Sequence, residues 1–134
     1  MTKHHLLVFE NCYTMSKALI IDGKPEFAKE LMQRAYMHDI SKWSNTEYYG
    51  MISDDKNLRD IAIDQHRSVN SHHIEFHEEV SNMSELDIIE MVCDIRARAA
   101  AKDGSAKDFI KKHIVELGIS TSSKFYRTFC KYIK

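Results

Sequence analysis

Proline and glycine are scarce, with one Pro and four Gly in 134 residues. So few breakers exclude a fold built from many turns and favour helices. Cysteine is scarce as well. Cys12, Cys93 and Cys130 are odd in number, widely spaced and never arranged as C-x-x-C. That pattern argues against a disulfide framework and against a thiolate zinc site, and it points to a reducing, cytoplasmic setting. No stretch approaches the roughly 18 apolar residues of a membrane span, and the N-terminus lacks the apolar core of a signal peptide. A soluble protein with no membrane partner is the expectation. An excess of one charge is missing too: the formal net charge is −1, which leaves no global positive field to hold a phosphate backbone, so nucleic acid is not the expected partner.

What is present suits one folded core. Hydrophobic residues make up 43% and charged residues 29%, and this length is about one domain's worth. A single domain over residues 1–134 is expected. Histidine is the compositional anomaly. Most of the eight imidazoles are grouped: His4 with His5, and His72 with His73, His66 lying upstream and His77 just behind. Clustered imidazoles suggest metal ligation.

Apolar periodicity predicts a first helix from Lys3 to about Ile21, stopped by Asp22-Gly23. Pro25 and Glu26 suit the first turn of a second helix, whose apolar face (Phe27, Ala28, Leu31, Ala35) runs into His38-Asp39. Ser44 with Glu47 reads as a capping box for a short helix. Leu58 to His66 is helical, and Ser68–Ser71 bends or breaks the chain before His72, so that His66 and His72/His73 can converge. Ser84 with Asp87 caps a long helix, Glu85 to about Lys102, which Asp103-Gly104 ends. Ser105 starts a further helix through Leu117, stopped by Gly118, and Ser122 or Ser123 caps the last. An all-α bundle of six or seven helices follows, with no strand signal.

Four features carry chemistry. His38-Asp39 offers an imidazole nitrogen and a carboxylate from one turn of backbone, and a carboxylate can bridge two cations. Lys42 sits one turn further on, where its ammonium can meet phosphate oxygens; alone it would be read as a solvated turn. Asp94 lies inside an apolar run, where an unpaired carboxylate is costly. Asp87, Glu90, Asp94 and Arg98 form a narrow polar stripe on the helix, readable either as a seam aimed at a buried site or as a solvated face with an Asp94–Arg98 pair. His66, His72 and His73 supply neutral nitrogen ligands for a transition metal. His77 is read as surface. Trp43, Tyr48 and Tyr49 have faces on which a base could stack, but core filling is the expectation for aromatics at such spacing. The C-terminal stripe Lys124, Arg127, Lys131, Lys134 reads as the solvated face of an amphipathic helix rather than a nucleic-acid surface.

In their order, His4, His38-Asp39, His66, His72-His73 and Asp94 resemble the ligand set of the HD-domain superfamily, metal-dependent phosphohydrolases of all-helical fold. HDISKWS, the segment His66 to Glu75 and IIEMVCDIRA resemble an uncharacterised group of small HD-related proteins common in phages and bacteria. The resemblance runs from about residue 4 to residue 115. It implies that His38, Asp39 and Asp94 are the core metal ligands, with His66 and one of His72 or His73 available for a second ion. His4, four residues before Val8, fits the superfamily's H-x3-V opening better than His5 does. Lys42 would contact the substrate phosphate, and Glu75 is a candidate for moving protons, though it reads equally well as surface charge. The implied cofactor is one or two divalent transition-metal ions, with Mn, Fe, Co, Ni and Zn all admitted by mixed His and carboxylate ligands. The implied substrate is a nucleotide or related phosphate ester. A non-catalytic metal-binding module on the same fold is the rival reading, since a short chain leaves little for a substrate lid.

Overall fold

The computed structural model describes residues 3–101, 105–116 and 118–133. Seven α-helices, with no strand among the described residues, run in the order α1 (Lys3–Ile21), α2 (Pro25–Met37), α3 (Asn45–Met51), α4 (Lys56–Val69), α5 (Glu85–Ala101), α6 (Ala106–Glu116) and α7 (Lys124–Ile133). Short 3-10 turns occupy Ile40–Trp43, Ile74–Phe76 and Val80–Asn82. The protein is all-α. The stop expected at Asp103-Gly104 lies outside the described residues, as do Leu117 and Lys134. Among the described residues no helix is long and apolar enough to cross a membrane.

The chain divides into two compact units, one made of residues up to His38 together with those from Ser84 onward, the other of Asp39–Met83. In the first unit α1 packs on α2 and α5, and α5 also packs on α2, α6 and α7. Gly23 takes the left-handed backbone (φ 76) that ends α1. There Lys24 N donates to Leu19 O (2.8 Å) and Gly23 N to Ile20 O (3.1 Å), satisfying two terminal carbonyls. Pro25 then opens α2 at its first position. Val8, Cys12, Leu31, Ala35, Ile89, Val92 and Cys93 are fully buried and form the core. α5 is buried on most of its circumference, Asp87, Glu90 and Asp94 included. A helix so enclosed must find partners for those carboxylates inside the protein.

The start of α5 is a complete capping box: Asp87 N donates to Ser84 Oγ and Ser84 N to Asp87 Oδ2, both at 3.0 Å. Asp87 also accepts from Arg34 Nη1 at 2.7 Å, tying α2 to α5. On α7 the apolar side (Phe125, Phe129, Tyr132, Ile133) is buried, while Lys124, Arg127 and Lys131 are exposed.

In the second unit α3 packs on α4, and both pack on the turn Ile40–Trp43. Gly50 permits the close approach: a Cβ there would fall 2.5 Å from Ala62 Cβ and 2.7 Å from Leu58 O. α4 begins two residues earlier than periodicity suggests, because Asp55 caps it by accepting from Asn57 N at 2.9 Å. It ends at Val69, with Asn70 in extended backbone, and the chain then turns through His72 and His73. Trp43, Tyr48 and Tyr49, expected to fill a core, are instead 70%, 43% and 64% exposed. The physical reason is that the inner face of α3 is taken by buried Glu47 and Gly50, which turns positions 48 and 49 outward. Ala62 and Met83 are the only buried apolar residues of this unit; its other buried side chains are Asp39, Glu47, His66 and His72.

Candidate metal centre

Each unit gathers its own group of ligating side chains, and the two groups are consecutive in sequence at His38 and Asp39. In the first unit His4 comes from the first turn of α1, His38 from the residue that closes α2, and Asp94 from the middle of α5. Their ligand atoms lie within 4.8 Å of one another. His4 Nε2 is 2.8 Å and His38 Nε2 3.6 Å from Asp94 Oδ1. Burial works to raise the Asp94 carboxyl, but its contacts with the His38 and His4 imidazoles, with the Arg98 charge, hold it well below the usual carboxylate range. Arg98 Nε is 3.5 Å from Asp94, so the i, i+4 pair and the buried seam are present together. His5, the alternative to His4, points elsewhere: its Nε2 donates to Ala35 O at 2.9 Å.

In the second unit Asp39, His66, His72 and His73 offer four ligand atoms within 4.8 Å of one another. His66 stands near the end of α4; His72 and His73 follow the break at Asn70. Asp39 Oδ1 lies 3.3 Å from His66 Nε2 and 3.2 Å from His72 Nε2. The rings of His72 and His73 are 4.2 Å apart, and those of His66 and His73 4.9 Å. His66 Nε2 is buried and makes no hydrogen bond. Asp39 has a left-handed backbone, φ 56, the only non-glycine with positive φ among the described residues.

Bonds of about 2.0–2.2 Å around one ion place neighbouring nitrogen and oxygen donors roughly 3–4 Å apart. In both groups the ligand atoms lie close to that spacing and mix imidazole with carboxylate; His38, Asp39, His66, His72 and Asp94 are buried, and His4 and His73 half-buried. They are buried His/Asp groups able to hold a metal ion.

Lys42 is half-buried and its Nζ lies 3.0 Å from Asp39 Oδ2, beside the second group. Glu75 is exposed on the turn Ile74–Phe76 and belongs to neither group. His77 is half-buried and donates from Nε2 to Ser71 O at 2.9 Å, a contact that closes the turn below His72. Cys12 and Cys93 are buried free thiols. The hydrogen bond with Cys93, together with burial, pushes the Cys12 thiol far up, which keeps it protonated and unsuited to nucleophilic attack.

Two carboxylates at these groups escape the sequence reading. Glu47 is fully buried and its Oε1 is 2.8 Å from His66 Nδ1. It also accepts from Ser41 Oγ at 2.9 Å and from Gln65 Nε2 at 3.4 Å. Its offset from Ser44 suggests only a capping box, and Ser44 Oγ does accept from Glu47 N at 3.4 Å. Glu90, placed in the polar stripe of α5, has Oε2 at 2.8 Å from His38 Nδ1. The one available signal in each case is an acidic residue on the inward face of an amphipathic helix.

No curated protein and no solved structure matches the chain. Over residues 1–129, which takes in every member of both ligand groups, the sequence matches DUF5662, a family of unknown function, and the chain belongs to that family.

Proposed function

We propose that this protein is a metal-dependent phosphohydrolase acting on a nucleotide or a related phosphate ester. The observation that carries the reading is the pair of buried His/carboxylate groups joined at consecutive residues, His38 and Asp39. His4, His38 and Asp94 would hold one cation, and Asp39, His66, His72 and His73 another. When bound, such cations supply Lewis-acid polarisation of a phosphoryl group and charge to offset the negative charge that develops on it. The protein's share is to fix the ligands and exclude water. Lys42, whose Nζ lies 3.0 Å from Asp39 Oδ2, would pair with a phosphate oxygen of the substrate if Asp39 held a cation.

The rival is a metal-binding module without turnover. It is favoured by the exposure of Glu75, which removes from the ligand groups the one candidate proton carrier. Elemental analysis of the protein beside His38→Ala and His66→Ala, with phosphate release from nucleotides in Mn, Co, Ni or Zn, separates the two. Stoichiometric metal with phosphate release that both substitutions abolish supports the hydrolase. Metal without release from any ester supports the module. Absence of metal under every loading condition refutes both. Trp43, the only tryptophan and 70% exposed, gives an independent fluorescence readout of nucleotide binding in unit Asp39–Met83.

A further inference from the structure

We propose that Glu47 and Glu90 are positioning residues: each fixes the proton of one histidine, His66 and His38 respectively, on Nδ1 and so leaves Nε2 as the cation ligand. The proposal rests on the metal reading of both ligand groups and assigns the residues that make those groups competent.

A neutral imidazole carries one proton on one of two nitrogens, and only the bare nitrogen can bind a cation. Which nitrogen is bare is set by the hydrogen bond of the other. An ionised carboxylate only accepts hydrogen bonds. Glu47 Oε1 at 2.8 Å therefore requires a proton on His66 Nδ1. Asn70 Nδ2 lies 3.3 Å from the same nitrogen, and an amide proton pointed there would demand the opposite tautomer. Its two protons are, however, spent at shorter range, on Ser41 Oγ and on His66 O, both at 2.8 Å. The Nδ1 proton thus goes to Glu47, and Nε2, buried and without a hydrogen bond, faces Asp39.

Glu90 Oε2 stands at 2.8 Å from His38 Nδ1, while His38 Nε2 faces Asp94. Arg34 Nη1 lies 3.7 Å from Glu90 Oε1 and 2.7 Å from Asp87 Oδ1, so the other oxygen of Glu90 faces a guanidinium. The same device therefore occurs once in each unit: a buried carboxylate behind the ring and a ligating carboxylate in front of it. Partners of this kind orient the ring and raise its basicity toward a cation, and losing one costs about 10- to 100-fold in metal affinity. Glu47 does more than orient one ring, since through Ser41 it also holds the turn that follows Asp39 against α4.

The test compares wild type with Glu47→Gln, Glu47→Leu and Glu90→Leu. Long-range 1H–15N spectra of the metal-free proteins report the tautomer, and zinc titration reports affinity. Wild type is expected to show Nδ1–H on His38 and His66. Glu47→Gln keeps that tautomer at His66 because its amide oxygen still accepts. Glu47→Leu shifts His66 alone to Nε2–H and weakens one zinc site about 10- to 100-fold; Glu90→Leu does the same at His38 alone. A wild-type His66 or His38 already protonated on Nε2, or a tautomer unmoved by the leucine variants, overturns the proposal. Nδ1–H rings in a wild type that binds no zinc would instead refute the metal reading, and with it the ligand assignment. A leucine variant that fails to fold is covered by the other unit's variant and by Glu47→Gln.

Discussion

Asp39 carries its carboxylate on a backbone that L-residues resist. Its φ of 56 sets Cβ against the following carbonyl, at a cost of roughly 1 kcal/mol that Asp and Asn tolerate best. The carboxylate reaches His66, His72 and Lys42 from that conformation. The backbone and ligand roles of this residue are separable by substitution. Asp39→Asn is expected to retain the fold and lose metal from the 39–83 group. Asp39→Ala should lose metal as well and be about 1 kcal/mol less stable than Asp39→Asn. Denaturant unfolding of the metal-free variants, with elemental analysis of the loaded ones, checks both. Equal stability of the two would show that the left-handed conformation is not what position 39 requires.

At the scale of elements, two contacts decide how helices are held. α3 meets α4 through Gly50, where an added methyl would clash with Ala62 Cβ and the Leu58 carbonyl. Backbone cannot give as a side-chain tip can, so Gly50→Ala should destabilise residues 39–83 by about 1–3 kcal/mol, read as lost exchange protection in α4. α7 is pinned through Tyr132, whose hydroxyl donates to Glu85, and Lys24 Nζ donates to both (3.1 Å to Glu85, 3.4 Å to Tyr132). Burial and then the Glu85 hydrogen bond raise the Tyr132 phenol above its ordinary value near 10. The Glu85 hydrogen bond likewise raises Lys24. A group whose folded pKa is raised gives stability that is full below the unfolded value and is lost as pH rises through the folded one. Stability should therefore fall above about pH 10. Tyr132→Phe should lower stability by about 1 kcal/mol at neutral pH and show a shallower, but not absent, alkaline decline, because Lys24–Glu85 remains. A variant with an unchanged alkaline slope would dismiss this coupling.

Helix existence, the Ser84/Asp87 cap and the Ser123 cap (Tyr126 N to Ser123 Oγ, 3.1 Å) were legible because they depend on residues three or four apart. The grouping of His66 with His72 and His73 was legible for a similar reason, as a break in helical composition placed them around one bend. Glu47 and Glu90 were not, since their histidine partners lie 19 and 52 positions away and no local spacing encodes such contacts. Tyr48 and Tyr49 misled because hydrophobicity alone does not say which face of a short helix a buried carboxylate has already taken.

At the scale of the whole molecule the two units differ in what they bury. Residues up to His38 and from Ser84 bury an apolar core together with His38, Asp87, Glu90 and Asp94, whereas 39–83 has Ala62 and Met83 as its only buried apolar residues and otherwise buries Asp39, Glu47, His66 and His72. So short a unit with so little hydrocarbon needs a further staple, and a bound cation would supply one. Ligand linkage adds about 2.7 kcal/mol at a free concentration of 100 Kd. Chelation should therefore abolish exchange protection in α3 and α4 while α1 and α5 stay protected. Uniform loss across all helices, or none, would contradict this division. The order of the ligands along the chain has a further consequence during translation. A nascent polypeptide leaving the ribosome has presented Asp39, His66, His72 and His73 as soon as residue 73 emerges, with α5 not yet out of the ribosome. His4 and His38 must wait for Asp94. If each group holds a cation, the 39–83 group would be complete first, and that of the older, N-terminal histidines last.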